Sequence, residues 1–186
     1  MRLPAAGYRL MPWKNGQGVT REIVREPASG EDFLWRLSIA EVAASSDFSR
    51  FPGCDRTITL IEGAGMRLEF AEAPAQLIER RYDPFVFSGE WGCRCHLLSG
   101  PVRDFNLIVE RDRARGSTEV LGLDGRPLER FVEEGWLLIY CAEGSLGAGG
   151  FEAEAGDTIQ LAAGHHRLDG QGAIALVMSV YMLRGK

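Results

Sequence analysis

The chain is a succession of short apolar segments that alternate with period two and are cut apart by glycine. Phe33–Val42 (FLWRLSIAEV) puts Phe33, Trp35, Leu37 and Ile39 on one face and Arg36, Ser38 and Ala40 on the other. Arg56–Ile61 and Asp104–Glu110 alternate in the same way, and Val19–Val24 reads as a further strand. Trp136–Cys141 (WLLIYC) and Ile174–Tyr181 (IALVMSVY) are near-continuous apolar runs, as expected of strands buried on both faces. No stretch keeps an apolar i, i+3, i+4, i+7 pattern for three turns. Turn clusters separate the runs at residues 62–65, 88–90, 123–127 and 147–150. The 23 glycines of 186 residues are far more than an average chain carries. Short strands with glycine-rich turns predict an all-β sandwich or barrel with few or no long helices.

An internal repeat refines this. Ile58–Phe70 (ITLIEGAGMRLEF) and Leu138–Gly150 (LIYCAEGSLGAGG) are each an apolar strand, a Glu-Gly pair and a second short segment. The second unit continues into Gly156-Asp157 and the strand Thr158–Leu161. A Gly-Asp before a strand after such a hairpin fits jelly-roll barrels of the cupin type. The expected division is a first barrel over 1–110, carrying the site, and a second over 111–186.

Composition excludes several classes. The formal net charge is −5 and no basic block occurs, which argues against nucleic acid as a partner. The longest uncharged run, Gly170–Leu183, is too short for a membrane-spanning helix, and the N-terminus has no continuous apolar segment of signal-peptide type. A cytoplasmic protein with no membrane partner is therefore expected. Cys54, Cys93, Cys95 and Cys141 contain no C-x-x-C, so they are expected to be reduced, buried, small apolar residues. A homodimer formed through an exposed barrel edge is compatible with the chain.

Four segments carry a resemblance. Pro12–Ile23 (PWKNGQGVTREI) resembles the opening signature P-W-K-N-G-x-G-x-T-x-E-I. Trp35–Ala40 (WRLSIA), Phe48–Arg56 (FSRFPGCDR) and Leu98–Leu107 (LSGPVRDFNL) resemble three more, in the same order. Together they are similar to the HutD/Ves family. The resemblance implies a double-barrelled cupin (bicupin) fold and an association with histidine utilisation. It also implies a non-enzymatic role: binding an intermediate such as urocanate or N-formylglutamate, and so moderating the pathway.

Many cupins hold a metal with histidines and a glutamate from their first motif. Here Arg56 falls roughly where the glutamate would stand, and a guanidinium cannot ligate a divalent cation. The chain has three histidines, and the adjacent His165 and His166 would point to opposite faces of a strand. His96 reads as structural. No metal and no other cofactor is expected.

Cations and amides at a barrel mouth instead suit a small anion. Arg56 and Arg36 lie on predicted strands among apolar neighbours, and each offers a planar fork to a carboxylate; the alternative is an outward-facing arginine or an internal ion pair, for Arg56 with Asp104. Ser38 shares a face with Arg36. Asp104 and Asn106 share a strand face and need partners, either the ligand or Arg56, unless that face is a strand edge open to solvent. In the Lys14–Gly18 turn, Asn15 suits an amide or formyl group or caps its own backbone. Trp13 stacks on a flat ligand or plugs the core. Phe51, before Pro52-Gly53, is expected to wall the pocket. Glu22 is a lesser candidate, as a partner for Lys14 or Arg56. The competing reading is a cupin-type enzyme acting on a small carboxylate: either a metal enzyme using His96, His165 or His166, or a metal-free isomerase or hydrolase using Asp104 with Lys14. No nucleophile–base pair is evident, which favours binding over catalysis.

Overall fold

Alternation along each strand decides which side chains enter a barrel and which leave it. A computed structural model describes residues 1–30 and 32–183. Among them the regular structure is sixteen strands and one 3₁₀ turn, with no α-helix. The strands are β1 (Arg2–Leu3), β2 (Arg9–Pro12), β3 (Gly18–Glu26), β4 (Trp35–Val42), β5 (Ser46–Phe48), β6 (Cys54–Glu62), β7 (Met66–Phe70) and β8 (Gln76–Ile78). They continue with β9 (Phe85–Ser88), β10 (Cys93–Leu97), β11 (Val102–Glu110), β12 (Ala114–Asp124), β13 (Leu128–Glu143), β14 (Ser145–Ala148), β15 (Phe151–Glu154) and β16 (Thr158–Met182). Among the described residues no helix is long and apolar enough to cross a membrane.

The chain forms two compact units, Arg9–Asp112 and a second joining Met1–Tyr8 to the residues from Arg113 onward. The first eight residues therefore group with the C-terminal unit, whereas the expected division placed them in the first barrel. The reason is specific pairing. Arg2 and Leu3 pair with Ile159 and Thr158. The Asp157 carboxylate accepts from Arg2 Nη2 at 2.7 Å and from the Ala5 N–H at 2.9 Å.

In the Arg9–Asp112 unit, a six-stranded sheet in the order β2-β3-β4-β11-β6-β9 and a four-stranded sheet in the order β5-β10-β7-β8 supply one apolar core. Its residues include Val42 and Val102 from the first sheet and Met66, Leu68, Cys93 and Cys95 from the second. In the other unit, β16 is long enough to pair twice with β13: Ile139 faces Ile159 on one edge and Val177 on the other. Its apolar core includes Leu137, Ile139, Ile159, Leu168 and Val177.

The repeat has a structural counterpart. Gly63 and Gly144, the second residues of the two Glu-Gly pairs, both have positive φ (99° and 74°), where a side chain is strained. The turn expected over residues 147–150 begins later, because β14 runs through Ala148, which is 3% exposed in the core. All four cysteines are free and buried.

Candidate functional site

The register of three strands sets the site. Arg36 on β4 faces Ile108 on β11, which faces Arg56 on β6. One row along, Ser38 faces Asn106, which faces Ile58. The next row is Ala40, Asp104 and Leu60. Since residues two apart share a face, these three rows point the same way. The polar side chains at one end thus grade into apolar core at the other.

Arg56 is 6% exposed. Its Nε and Nη2 donate to Asn106 Oδ1 at 2.9 and 2.7 Å. Asn106 Nδ2 in turn donates to Asp104 Oδ1 at 2.5 Å. The orientation follows from chemistry: a guanidinium only donates, a carboxylate only accepts, and the amide does both. Three rings enclose the cation, with Arg56 Cζ 4.9 Å from the Phe48 centroid, 5.3 Å from Phe87 and 6.0 Å from Phe51. Burial lowers the Arg56 pKa, with Asp104 opposing, yet the group stays cationic. The Nη1 side of the guanidinium makes no hydrogen bond among the described residues.

Arg36 donates from Nε to Glu22 Oε2 at 2.7 Å and from Nη2 to Met11 Sδ at 3.5 Å. Glu22, on β3 opposite Ser38, is thus the partner of Arg36 rather than of Lys14 or Arg56.

A pocket of about 520 Å³ opens at this end of the unit. Arg36, Ser38, Phe51, Arg56 and Asn106 line it, with Trp13, Lys14 and Asn15 at its N-terminal wall. Asp104 is the exception among the expected ligand contacts. It is 0% exposed and does not line the pocket, because the Asn106 side chain on the adjacent row stands between it and Arg56. Lys14 is exposed at the rim while Asp104 is fully buried, so the two do not form the acid–base pair that a metal-free enzyme would need.

Two wall residues are held by neighbours. Trp13 Nε1 donates to Thr20 Oγ1 at 2.9 Å, and its ring meets Phe48 edge-on at 6.2 Å. Gly18 makes room for it, since a Cβ there would lie 2.9 Å from the indole and 2.6 Å from the Glu41 carbonyl. Asn15 Oδ1 accepts the Gln17 N–H at 3.0 Å, and its Nδ2 donates to Gln17 Oε1 at 3.1 Å, so its amide closes its own turn.

Sequence reasoning missed Phe48, Phe87 and Met11. Phe48 had a signal, as it opens the segment that ends at Arg56. Phe87 had none, because only the pairing of β9 with β6 brings it opposite Arg56.

The donor set does not fit a cupin metal. Among the described residues no three His, Cys, Asp or Glu come together. His96 Nε2 lies 3.2 Å from Glu69, His166 Nε2 lies 2.7 Å from the Ala162 carbonyl, and the His165 ring lies tilted against Phe131 with centroids 4.5 Å apart. Two guanidiniums in the pocket repel a cation.

Comparison with known proteins places this chain in a family. The HutD family model matches residues 5–178. An uncharacterised 21.2 kDa protein in the hutC 3' region of Pseudomonas putida is 48% identical over 114 residues, 61% of this chain and 60% of that protein. Protein Ves of Citrobacter koseri is 40% identical over 116 residues, 60% of each. The alignments thus span 60% of the length of these curated relatives. The structure of a conserved protein of unknown function from Pseudomonas aeruginosa PAO1 is similar over 97% of this chain and 98% of that one, with TM-score 0.88 and 35% identity. HutD from Pseudomonas fluorescens SBW25, solved in a formate condition, is similar over 100% and 99%, with TM-score 0.88 and 33% identity. A cupin 2 conserved barrel domain protein from Leptotrichia buccalis shares the fold alone, covering 93% of this chain and 92% of that one, with TM-score 0.59 and 11% identity. The chain belongs to the HutD family and has a cupin-like all-β fold.

Proposed function

We propose that the pocket of the Arg9–Asp112 unit binds a small carboxylate metabolite without turning it over, and that this binding moderates histidine utilisation. The observation that carries the reading is Arg56. It is a buried cation in an aromatic cage that lines a pocket and has one side of its guanidinium unspent. A buried guanidinium selects an anion, and its planar fork matches a carboxylate in two parallel hydrogen bonds. Hydrogen bonds to charged groups contribute about 1.5–3 kcal/mol each, so two of them support binding from about millimolar to tens of micromolar. The formate condition of the Pseudomonas fluorescens HutD structure and the hutC neighbourhood of the Pseudomonas putida relative support a carboxylate of the histidine pathway, such as urocanate or N-formylglutamate. In this reading the two units are two cupin-like barrels, a bicupin, and the first carries the site. The partner is a small anionic metabolite in the cytoplasm, with no nucleic acid and no membrane.

The test is a thermal-shift titration with urocanate, N-formylglutamate, formate, histidine and glutamate. A ligand that binds only the folded state adds RT ln(1 + [L]/Kd), about 2.7 kcal/mol at a hundredfold excess over Kd. One of the acids is expected to stabilise the protein, unaltered on recovery. Arg56→Ala is expected to stay folded and lose the shift. An unchanged shift in that variant overturns the assignment.

A further inference from the structure

Asp104 is the one expected ligand contact that the pocket does not use, and its surroundings give it another task. Its carboxylate is 0% exposed. Oδ1 accepts one hydrogen bond, from Asn106, and Oδ2 has no hydrogen-bond partner among the described residues. An ionised carboxylate held by one neutral amide is poorly compensated in a buried site. What favours its charge is Arg56, which lies on the other end of the same Asn106 side chain. The Asp104–Asn106–Arg56 chain is therefore a charge pair with an amide in the middle.

An anion at Arg56 changes that balance. Two negative charges would then share one buried cation. Like charges that share a site cannot both ionise freely. The solvated ligand enters as an anion, so the buried carboxylate takes the proton. Building on the carboxylate-binding reading above, we propose that Asp104 is the resident counter-ion of Arg56. A carboxylate entering at Arg56 replaces it in that role, and one proton from solvent is taken up by the Asp104 carboxylate as the ligand binds.

Asp104 is poised for this. Burial, opposed by Arg56 and the Asn106 hydrogen bond, pushes its pKa up to about 6 with the site empty. The other ionisable groups facing this lumen are placed on each packed element. Arg56 is on β6 and Arg36 on β4, both cationic throughout. Cys93 and Cys95 on β10 are thiols that burial pushes up to about 11 and about 12, so they stay neutral. Glu22 on β3 is ion-paired to Arg36 at 2.7 Å. Asp47 on β5 is exposed and paired to Arg94 at 3.0 Å, and Lys14 stands at the rim. His96 is on β10, in the opposite alternation to Cys93 and Cys95, and pairs with Glu69.

The experiment follows formate affinity from pH 6 to 8 for the wild type, Asp104→Asn and Glu22→Gln, with Arg56→Ala as the binding-dead control. Wild-type affinity is expected to fall by up to about tenfold per pH unit above the Asp104 pKa. Asp104→Asn is expected to lose that slope and to bind at least as tightly as the wild type does at pH 6. Glu22→Gln is expected to keep the slope. A slope that persists in Asp104→Asn, or vanishes in Glu22→Gln, overturns the proposal. So does weaker binding by Asp104→Asn at every pH, which would leave Asp104 only a support for Asn106. Should that variant fail to fold, calorimetry of wild-type formate binding at pH 7 in two buffers of different ionisation enthalpy counts the proton directly. Uptake of half to one proton per formate (about 0.5–1) is expected, and zero overturns the proposal. No formate binding at any pH overturns the carboxylate reading itself, an outcome distinct from binding without a proton.

Discussion

The two units fill their interiors with different chemistry. The unit from Arg113 onward packs Leu137, Ile139, Ile159, Leu168 and Val177 into its core, and among the described residues Asp157 and Thr158 are its buried polar side chains. The Arg9–Asp112 unit has an apolar core of the same kind at one end and Arg56, Asn106, Ser38 and Asp104 at the other. Apolar filling is cheap to hold and does nothing specific. Buried polar groups are costly unless every one finds a partner. The first unit keeps such groups beside a pocket where one cation still has a free side. The comparison sets an interior filled almost wholly with apolar side chains against one that keeps buried polar groups beside a pocket.

The sharpest way to break this comparison is a pair of substitutions with similar thermodynamic cost. Asn106→Leu removes the amide between Arg56 and Asp104, leaving both without that hydrogen bond. Breaking a buried charge pair costs on the order of 3–5 kcal/mol. Ile139→Ala in the other unit leaves a cavity and costs about 2–5 kcal/mol. Denaturant titration is expected to show comparable losses. Formate affinity of the folded fraction is expected to vanish in Asn106→Leu and to stay unchanged in Ile139→Ala. Loss of affinity in Ile139→Ala would mean that the two interiors do not divide their tasks.

A second contrast is between two buried carboxylates. Asp157, 6% exposed, accepts hydrogen bonds from the Ala5 and Glu154 N–H groups and from Arg2. Burial alone would raise its pKa, and these bonds outweigh it, so the net direction is down. Asp104 has one amide and an orphan oxygen, and its pKa goes up to about 6. The opposite outcomes have two causes acting together: Asp104 lies deeper, and fewer donors face its charge. The pH dependence follows with opposite signs. Asp157 is more acidic folded than unfolded, so its contribution is present above the unfolded value of about 4 and is lost as pH falls through its folded pKa. Asp104 is less acidic folded, so its contribution is full below about 4 and is lost as pH rises through about 6. Asp157→Ala is expected to cost about 2–3 kcal/mol at pH 7 and to free the Met1–Tyr8 segment to exchange its amides. Asp104→Asn is expected to flatten the stability profile between pH 4 and 6. An unflattened profile would place that titration elsewhere.

What was legible in the sequence was what period two can carry. The alternation in Trp35–Val42 placed Arg36 and Ser38 on one face and Trp35, Leu37 and Ile39 on the other, and the same rule put Asn106 beside Asp104. It could not say which of those two reached the pocket, because that depends on which row ends the apolar core. Long-range pairings left no local trace either. Arg2 finds Asp157 at a separation of 155 residues, and Phe87 reaches Arg56 only through the register of β9. The Phe48–Arg56 segment named the cation and one wall, but that Phe48 covers Arg56 follows from β5 and β6 lying in different sheets.

That covering ring supplies the smallest expected effect. Phe48 packs its face toward Arg56 Cζ at 4.9 Å and receives Trp13 edge-on at 6.2 Å. A desolvated cation–π contact contributes about 1–2 kcal/mol, and Leu keeps most of the apolar volume without the ring. Phe48→Leu is therefore expected to cost about 1 kcal/mol in stability and to weaken formate binding by a few fold, since Arg56 loses part of what holds its plane. Ile159→Val in the other unit removes one methylene from a fully buried side chain and costs about 0.5–1.5 kcal/mol. The two variants are expected to match in midpoint and differ in affinity, with only Phe48→Leu shifting the formate titration. If both titrations superimpose on the wild type, the ring is a wall of the pocket and the orientation of Arg56 rests on Asn106 alone.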